Sequence, residues 1–393
     1  MKSNYNQYNI RKKIGRCIMY KSIDELVERV DERNTANKID DLIGVSIDKC
    51  FIKSVANTNG TDLSKYKIIR RNDFAVSLMQ VSRDSKIPVA RLDDCDAAIM
   101  SPAYPIFRIK DTNVCLPEYL DMWFKRPEFD RETAFIAVGG VRGSMPWEEF
   151  AKMKLPVPSI EKQKEIVEAY RVIVDRIALK QRINDNLEAQ AAAIYHSLFD
   201  EQDEWQKGTV SDFGEVIGGA TPSKDIGEYF CSDGIVWLTP KDLTSTGKKF
   251  IYKGEIDITD AAYRSCSTKM MPKGSVLLTS RAPVGCVAIA MTELCTNQGF
   301  KSIVPYDEIG TAFVYYFLKE NKQLLESHSS GTTFMEISGN VLKTIPVSVP
   351  PKALTKKFTD LCQPIFLHQE QIEAEIEQLV ELQRTMVSRI SSR

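Results

Sequence analysis

Two long segments of the chain share one helical pattern, and this repetition constrains the fold more than any other feature of the sequence. Segments 155–199 and 345–390 each open with a short Pro-containing stretch, and Val157 aligns with Val349 at an offset of 192 residues. In both segments apolar residues recur at alternating steps of four and three, the spacing of a coiled-coil seam. An amphipathic helix on a globular core would carry a wider apolar stripe. The pattern predicts two paired helices of about 40 residues, each roughly 60 Å long.

Polar residues interrupt the two seams at different places. The first seam contains Lys180 and Asn184, and the second contains Gln369 and Gln383. Such residues typically fix the register and orientation of paired helices at some cost in stability. Because the helices belong to repeated halves of one chain, we expect them to be antiparallel. The seam positions are Ile166, Tyr170, Ile173, Ile177, Lys180, Asn184, Leu187, Ala191, Ile194 and Leu198, then Phe358, Cys362, Ile365, Gln369, Ile372, Ile376, Leu379, Gln383, Met386 and Ile390.

The regions before the two helices also repeat, although more weakly. Residues 22–26 match residues 209–213, and residues 119–125 match residues 313–319, while the stretches between these points differ freely. The sequence therefore predicts an α+β protein with two α/β domains related by a pseudo-twofold axis and separated by two long helices that form an antiparallel coiled coil. The predicted boundaries are 1–158 for the first globular domain, 159–204 for the first helix, 205–349 for the second globular domain and 350–393 for the second helix.

Composition and charge exclude several classes of protein. A hydrophobic content of 43% in 393 residues is sufficient for packed cores. The nine cysteines form no CxxC pair, which favours reduced thiols in a cytoplasmic protein over disulfides or zinc. No apolar run approaches the about 20 residues that a membrane helix needs. The net charge of −1 is low for a protein that binds DNA alone, so we expect a partner to bring positive charge.

The sequence lacks the motifs of the enzymes that act on nucleotides or DNA. It contains neither GxGxxG nor GxxxxGK[ST], and its only Pro-Pro pair, Pro350-Pro351, is followed by Lys352 rather than by the aromatic residue of an adenine methyltransferase. The three histidines are far apart in the sequence. We therefore expect a binding protein with no catalytic residues, no metal and no cofactor of its own.

One loop in the second half carries residue types suited to nucleic-acid contacts. Gly218 and Gly219 permit a sharp backbone turn, and Thr221, Ser223 and Lys224 place hydroxyls and a cation at its tip. Such donors suit phosphate or base-edge contacts. A solvated turn is the alternative.

Further candidates lie in two later motifs of the same half. Arg281 suits bidentate contact with guanine, and Asn297 or Gln298 suits contact with adenine. A salt bridge for Arg281 and a local side-chain cap for Asn297 are the alternatives. Three more residues complete the predicted DNA-binding set of this half: Lys241, Ser280 and Thr332.

The order of these motifs resembles a known family. GGATPS, VWLTPKDL, KMMPKGSVLLTSRAPVG, TNQGF and SSGTTFMEISGNVLKTIPV occur in sequence from residue 218 to residue 347, as in the second target-recognition domain of a Type I restriction-modification specificity subunit. DERN, SLMQVSR, SPAY and GGVRGSM make the first half similar to another branch of this domain family, although it lacks the GG-TPS loop. The resemblance covers roughly residues 20–390. In the first half we predict DNA contacts at Asn34, Ser82, Arg83, Tyr104, Arg142 and Ser144.

The resemblance implies a division of labour. Each globular domain reads one half of a bipartite site in double-stranded DNA, and the helices set the gap and dock two adenine methyltransferase subunits. Those partners bind S-adenosylmethionine, and a motor-nuclease partner that uses ATP and Mg²⁺ joins for restriction. The alternatives are a recognition subunit of another DNA-modification or anti-phage system, a coiled-coil adaptor that binds proteins, and a methyltransferase with a diverged cofactor site.

Overall fold

The computed structural model describes residues 19–54, 61–79, 81–137, 143–200, 205–281, 283–331 and 335–390. These residues form two compact units. The first unit contains the chain up to residue 177 and again from residue 378, and the second contains residues 178–377. Both divisions fall inside a long helix, so each unit includes a part of both helices. No helix within the described ranges has the length and apolar composition needed to cross a bilayer.

The first unit is built on a four-stranded antiparallel sheet. The strand order is β2-β9-β6-β7, and the pairs β1-β10, β3-β4 and β5-β8 accompany it. The elements in chain order are β1 (Met19–Ser22), α1 (Ile23–Leu26), β2 (Val27–Val30), β3 (Ile43–Val45), β4 (Phe51–Lys53), β5 (Lys67–Arg70), β6 (Phe74–Val76), α2 (Val81–Asp84), β7 (Val89–Arg91), β8 (Ala97–Met100), β9 (Ile106–Ile109), α3 (Pro117–Phe124), α4 (Pro127–Ala137), α5 (Trp147–Lys152), β10 (Lys154–Val157) and the long helix α6 (Ile160–Phe199).

Aromatic residues form the core of the first unit. Phe74 and Phe107 stack with ring centroids 5.3 Å apart, and Phe124 meets both rings edge-on. Stacked and edge-on pairs of this kind add about 0.5–1.5 kcal/mol beyond the burial of their apolar area. Helix α3 begins with Pro117, whose fixed φ suits the first turn of a helix, and it is buried on the sheet through most of its length.

The second unit contains two sheets. The five-stranded sheet has the order β12-β20-β17-β18-β15, and the four-stranded sheet has the order β13-β16-β14-β19, in which β14 and β19 are parallel. The elements are β11 (Gln206–Thr209), β12 (Gly214–Gly218), β13 (Phe230–Cys231), β14 (Ile235–Leu238), α7 (Pro240–Thr246), β15 (Phe250–Ile251), β16 (Asp257–Ile258), α8 (Asp260–Ser265), β17 (Val276–Leu278), β18 (Val287–Ala290), β19 (Cys295–Thr296), β20 (Lys301–Pro305), α9 (Thr311–Glu320), α10 (Lys322–Ser327), α11 (Gly339–Thr344), β21 (Pro346–Val349) and the long helix α12 (Lys352–Arg389).

The predicted internal repeat is confirmed at the start of each unit. Ser22 and Glu25 form a capping box before α1, and Thr209 and Asp212 form the same box in the second unit. In each unit the strand that carries the box pairs with the strand before a long helix, β1 with β10 and β11 with β21. Helices α5 and α11, and then α6 and α12, begin at the same offset of 192 residues that the sequence indicates.

The long helices pair antiparallel, as predicted. Within the second unit Lys180 meets Glu375 at 2.8 Å, and the side-chain amide of Gln369 donates to the carbonyl of Asn184 at 3.4 Å, so the numbering of the two helices runs in opposite directions. Within the first unit the amide of Gln383 donates to the hydroxyl of Tyr170 at 3.0 Å. The polar residues that interrupt the apolar seams therefore contact polar groups of the partner helix, and these contacts fix the register of the pair.

Candidate functional site

The two glycines of the predicted loop allow a close approach between two backbone segments. Strand β12 ends at Gly218, and a Cβ atom on Gly219 would lie 2.1 Å from the carbonyl oxygen of Thr296 and 2.3 Å from that of Asn297. The N–H of Ala220 donates to the same Thr296 carbonyl at 3.0 Å. The loop is therefore held against the turn that follows β19, and only glycine fits at position 219 because any side chain would collide with that turn.

The tip of this loop extends the contact to the side chains. The hydroxyl of Thr221 donates to the side-chain carbonyl of Gln298, and the indole N–H of Trp237 donates to the carbonyl of Ala220 at 3.1 Å. Ser223 and Lys224 lie beyond these anchors and are exposed. The loop therefore has a fixed base and a tip that presents a hydroxyl and an ammonium to solvent.

The turn after β19 is held by its own side chain and by a neighbouring lysine. The side-chain carbonyl of Asn297 accepts the N–H of Gly299 at 2.8 Å, which is the local cap considered as the alternative to a base contact. The ammonium of Lys301 donates to the carbonyls of Gln298 and Phe300, each at 3.1 Å. Burial lowers the pKa of Lys301. Lys301 was not among the predicted contact residues, although its position directly after the TNQGF motif was an available signal.

Arg281 lies at the edge of this region and is only loosely paired. Its guanidinium is 3.7 Å from the carboxylate of Glu336, and the two side chains are 37% and 40% exposed. Ser280 requires a correction, because it is fully buried. Its N–H donates to the carbonyl of Gly299 at 2.8 Å and its carbonyl accepts the N–H of Ile337 at 3.1 Å. Its hydroxyl is therefore absent from the exposed surface, and Ser280 instead connects neighbouring segments through its backbone.

Lys241 belongs to the first turn of α7, which starts beside the same turn. A Cβ atom on Gly299 would lie 2.6 Å from the ring of Pro240, the residue before Lys241. The Lys241 ammonium pairs with the exposed carboxylate of Glu255 at 2.8 Å. Thr332 lies outside the described residues. We use the name loop surface for the set Gly219, Thr221, Ser223, Lys224, Arg281, Gln298 and Lys301.

The first unit brings two of its predicted motifs together. Gly143 has a φ of +71°, and a Cβ atom there would lie 2.1 Å from the hydroxyl oxygen of Ser82. Arg83 follows, is 65% exposed and pairs with Asp84 at 2.8 Å. Ser144 is half-buried next to Gly143. Arg142 lies outside the described residues.

Asn34 also requires a correction. Only 2% of this residue is exposed, its side-chain amide donates to the carbonyl of Ile39 at 2.8 Å, and its side-chain carbonyl accepts the N–H of Ile39 at 3.3 Å. It closes a turn and has no exposed group with which to read a base. Tyr104 is half-buried, and its backbone carbonyl accepts the ammonium of Lys67 at 3.0 Å.

The first unit also carries strong ion pairs that were not predicted. The guanidinium of Arg108 binds both carboxylate oxygens of Asp73, each at 3.0 Å, and Arg70 pairs with Glu32 at 2.5 Å. Arg83 has Asp84 as its partner, as described above. Each of these three arginines therefore has an acidic partner within the same unit. Among the described residues, no group of three or more His, Cys, Asp or Glu side chains is arranged to hold a metal ion.

Comparison with known proteins gives a consistent result. Residues 202–382 match the family model of the Type I restriction modification DNA specificity domain. A Type I restriction enzyme specificity subunit from Methanocaldococcus jannaschii is 44% identical over 149 residues, which are 37% of this chain and 34% of that protein. The matched stretch thus spans about a third of the length of that relative.

Two longer matches cover most of the chain. The specificity subunit of the HindI Type I restriction enzyme from Haemophilus influenzae is 21% identical over 420 residues, covering 87% of this chain and 90% of that protein. The crystal structure of the S subunit of a Type I restriction-modification system from M. genitalium superposes with a TM-score of 0.57 at 14% identity, covering 95% of this chain and 96% of that one. This second likeness concerns the fold alone.

Proposed function

We propose that the chain, which is similar to Type I restriction enzyme specificity subunits, belongs to their family, recognises a specific DNA sequence and has no catalytic activity of its own. The observation that carries the proposal is the loop surface. Hydroxyl, amide, guanidinium and ammonium groups from three distant parts of the sequence lie on one face of the second unit there. Donors of these types serve both phosphate positioning and base-edge contacts.

The second half of a bipartite target is read by this loop surface. Gln298 and Arg281 supply the base-specific contacts, and Lys224 and Lys301 face phosphates. A phosphate beside Lys301 would stabilise its charged form and offset the burial that lowers its pKa. The side-chain carbonyl of Asn297 accepts the N–H of Gly299 and that of Gln298 accepts the hydroxyl of Thr221, so each of these residues contacts a base through its side-chain NH2 group.

The first half of the target is read by the first unit. Ser82, Arg83 and Ser144 are the contacts that we propose, since Gly143 brings their two motifs together. Tyr104 is a further contact in this proposal. The two units repeat one frame of secondary structure but differ in these loops, which suits two readers of two different half-sites.

Two adenine methyltransferase subunits dock on the long helices in this proposal. They hold S-adenosylmethionine and methylate a flipped adenine in each half-site. A motor-nuclease subunit that uses ATP and Mg²⁺ joins for restriction. The absence of a methyltransferase motif from the sequence and the family relationship support this division of labour.

Charge neutralisation makes weak DNA binding by the isolated chain part of the proposal. The net charge is −1, and three of the candidate cations, Lys241, Arg281 and Arg83, have carboxylate partners within the protein. A phosphate must compete with those carboxylates, and little net positive charge attracts the duplex. Partner subunits are therefore expected to supply most of the electrostatic affinity.

The test compares DNA binding by the chain alone and by its complex with the adenine methyltransferase subunit of the same system. We expect weak and unspecific binding alone, and an increase of affinity by roughly 10³-fold or more, with a steep salt dependence, in the complex. Tight and sequence-specific binding by the chain alone would contradict the division of labour. No salt-dependent DNA affinity even in the complex would favour a coiled-coil adaptor instead.

A further inference from the structure

A buried lysine connects the second globular region to both long helices. Lys249 precedes β15 and is 6% exposed. Its ammonium donates to three groups on three elements: the carboxylate of Glu188 on α6 at 2.8 Å, the side-chain carbonyl of Gln369 on α12 at 3.0 Å and the hydroxyl of Tyr316 on α9 at 3.2 Å. All of these residues belong to the second unit. The positive charge of Lys249 can be buried here because each N–H of its ammonium has a hydrogen-bond acceptor.

Aromatic rings surround the same ammonium. It lies 3.8 Å from the ring centroid of Phe366 on α12 and 4.5 Å from that of Tyr315 on α9. Both distances are within the range in which a cation is attracted to the face of an aromatic ring. The rings exclude water, which strengthens the charge interaction with Glu188.

Helix α12 holds the backbone of the same segment through a row of carboxylates. Glu373 accepts the N–H of Lys249 at 3.0 Å and the N–H of Phe250 at 3.2 Å. One turn away on each side, Glu370 accepts the hydroxyl of Tyr252 and Glu377 pairs with Lys248. The three acidic residues are spaced at three and four positions, so they lie on one face of the helix. Segment 248–252 is therefore attached to α12 at three successive points.

Glu188 completes the connection on the other helix. Its carboxylate accepts Lys249, the amide of Gln369 at 3.0 Å and Lys319 of α9 at 2.5 Å. Burial by itself would raise the pKa of Glu188, but the charge and hydrogen bond of Lys249, with the hydrogen bonds of Lys319 and Gln369, hold the pKa at about 2. Gln369 donates to Glu188 and accepts from Lys249, which closes a network across two helices and the globular region.

We propose that Lys249 is a positioning residue that sets the place of the second recognition region on the helix pair and thereby fixes the length of the gap between the two half-sites. This inference rests on the proposed function. Buried ion pairs contribute little net stability compared with apolar replacements, and their best-attested use is to select one register among several. In the first unit the helices meet through the uncharged pair Gln383 and Tyr170 instead.

The consequence of losing Lys249 follows from the spacing of the carboxylates on α12. Glu370, Glu373 and Glu377 present similar acceptors at successive turns of one face, so segment 248–252 has neighbouring positions with comparable partners. The Lys249 ammonium also requires Glu188, Gln369 and Tyr316 as acceptors, and only one position of the segment satisfies all three. Without it, the segment occupies more than one position along the helix pair.

The test uses the full chain with its methyltransferase partner in cells, and genome-wide methylation sequencing gives the gap length of every modified site. Lys249→Met keeps a long side chain and removes the charge. A double variant, Lys249→Met with Glu188→Met, removes both buried charges, a replacement that folded proteins commonly tolerate. Lys352→Met is the matched control, because its ammonium pairs with Glu308 at 3.1 Å but its side chain is 74% exposed.

We expect the parent and Lys352→Met to modify sites of one gap length. Both Lys249 variants should keep the two half-site sequences and raise modification at gaps one base pair longer or shorter by roughly tenfold. An unchanged gap in the folded double variant, or altered half-site sequences, overturns the role of Lys249 and leaves the proposed function intact. A parent complex that modifies no bipartite site contradicts the proposed function and this inference with it.

Discussion

The N–H of Ala220 donates to the carbonyl of Thr296 at 3.0 Å, and this bond joins two loops that are about 75 residues apart in the sequence. The loops follow β12 and β19, which belong to different sheets. The glycine-rich loop and the Asn297–Gln298 turn therefore form one surface whose shape depends on the distance between two sheets.

Gly219→Ala should abolish recognition of one half-site. The new Cβ atom would lie 2.1 Å from the Thr296 carbonyl, a backbone atom that cannot move aside without displacing the turn. Loss of one or two base contacts costs about 1–3 kcal/mol each. DNA affinity of the complex for its own site measures this loss. Gly227→Ala is the control, since a Cβ atom there meets nothing within 4 Å; equal effects of both substitutions would show that the close approach is irrelevant.

Arg281→Ala should weaken recognition of the same half-site by about 1–3 kcal/mol and leave the other half unaffected. Glu336→Gln should have the opposite effect and tighten DNA binding, because it removes the carboxylate that competes with DNA for Arg281 at 3.7 Å. Binding to duplexes with one altered half-site distinguishes the two halves. Arg264→Ala removes an exposed arginine of α8 and controls for the loss of charge. The assignment of Arg281 fails if its substitution weakens the two half-sites equally.

Glu188 should make the stability of the protein depend on pH on the acid side. Its pKa is about 2 in the folded protein and ordinarily 4.5, so the unfolded chain binds more protons between these values. The stability that Glu188 contributes is fully present above pH 4.5 and is lost as the pH falls toward 2. Glu188→Gln should thus lower the free energy of unfolding by on the order of 1–3 kcal/mol near pH 7, with a deficit that shrinks below pH 4.5.

Urea unfolding at a series of pH values measures this deficit. Glu168→Gln removes an exposed carboxylate from the same helix and should leave the stability within about 0.5 kcal/mol of the parent at every pH. A deficit for Glu188→Gln that stays constant down to pH 2 would show that its ionisation is not the cause.

Matched heptad insertions in the two helices should lengthen the gap. Tyr170 meets Gln383 in the first unit and Lys180 meets Glu375 in the second. Seven residues added after position 177 in α6 and after position 378 in α12 preserve both contacts and the phase of both seams. The helices grow by about 10 Å, which corresponds to roughly three base pairs. An insertion in one helix alone should destabilise the protein, and an unchanged gap after paired insertion would show that the helices do not set it.

The frame of the fold was predictable because its signals are local and occur twice. The spacing of the seams predicts α6 and α12, and the match of residues 22–26 with residues 209–213 indicates the repeat, although not the two capping boxes found there. The contact of Gly219 with Thr296 was not predictable, because it depends on how two sheets pack. Lys249 was missed for a similar reason, since a lysine beside a Phe-Ile strand has no periodic pattern, and its partners lie 61 to 120 residues away.

Two of the predicted DNA contacts involve buried residues. A sequence does not distinguish an exposed polar residue from a buried one whose polar groups are hydrogen-bonded inside the protein. Asn34 uses its side chain to close a turn with Ile39, and Ser280 is buried between two backbone segments. A loop motif identifies the segment that carries a site, whereas the side chains that face outward are decided by the packing of that segment on its neighbours.

Exchange of one recognition region tests the central claim most directly. Residues 206–349, from β11 to β21, would be replaced by the corresponding region of a relative with a different target, and the methylated motif would be read by genome-wide sequencing in cells that also produce the methyltransferase. We predict that one half-site changes to that of the relative, while the other half-site and the gap remain those of the parent. A change in both halves, or in neither, would contradict the account of two independent readers on one helical frame.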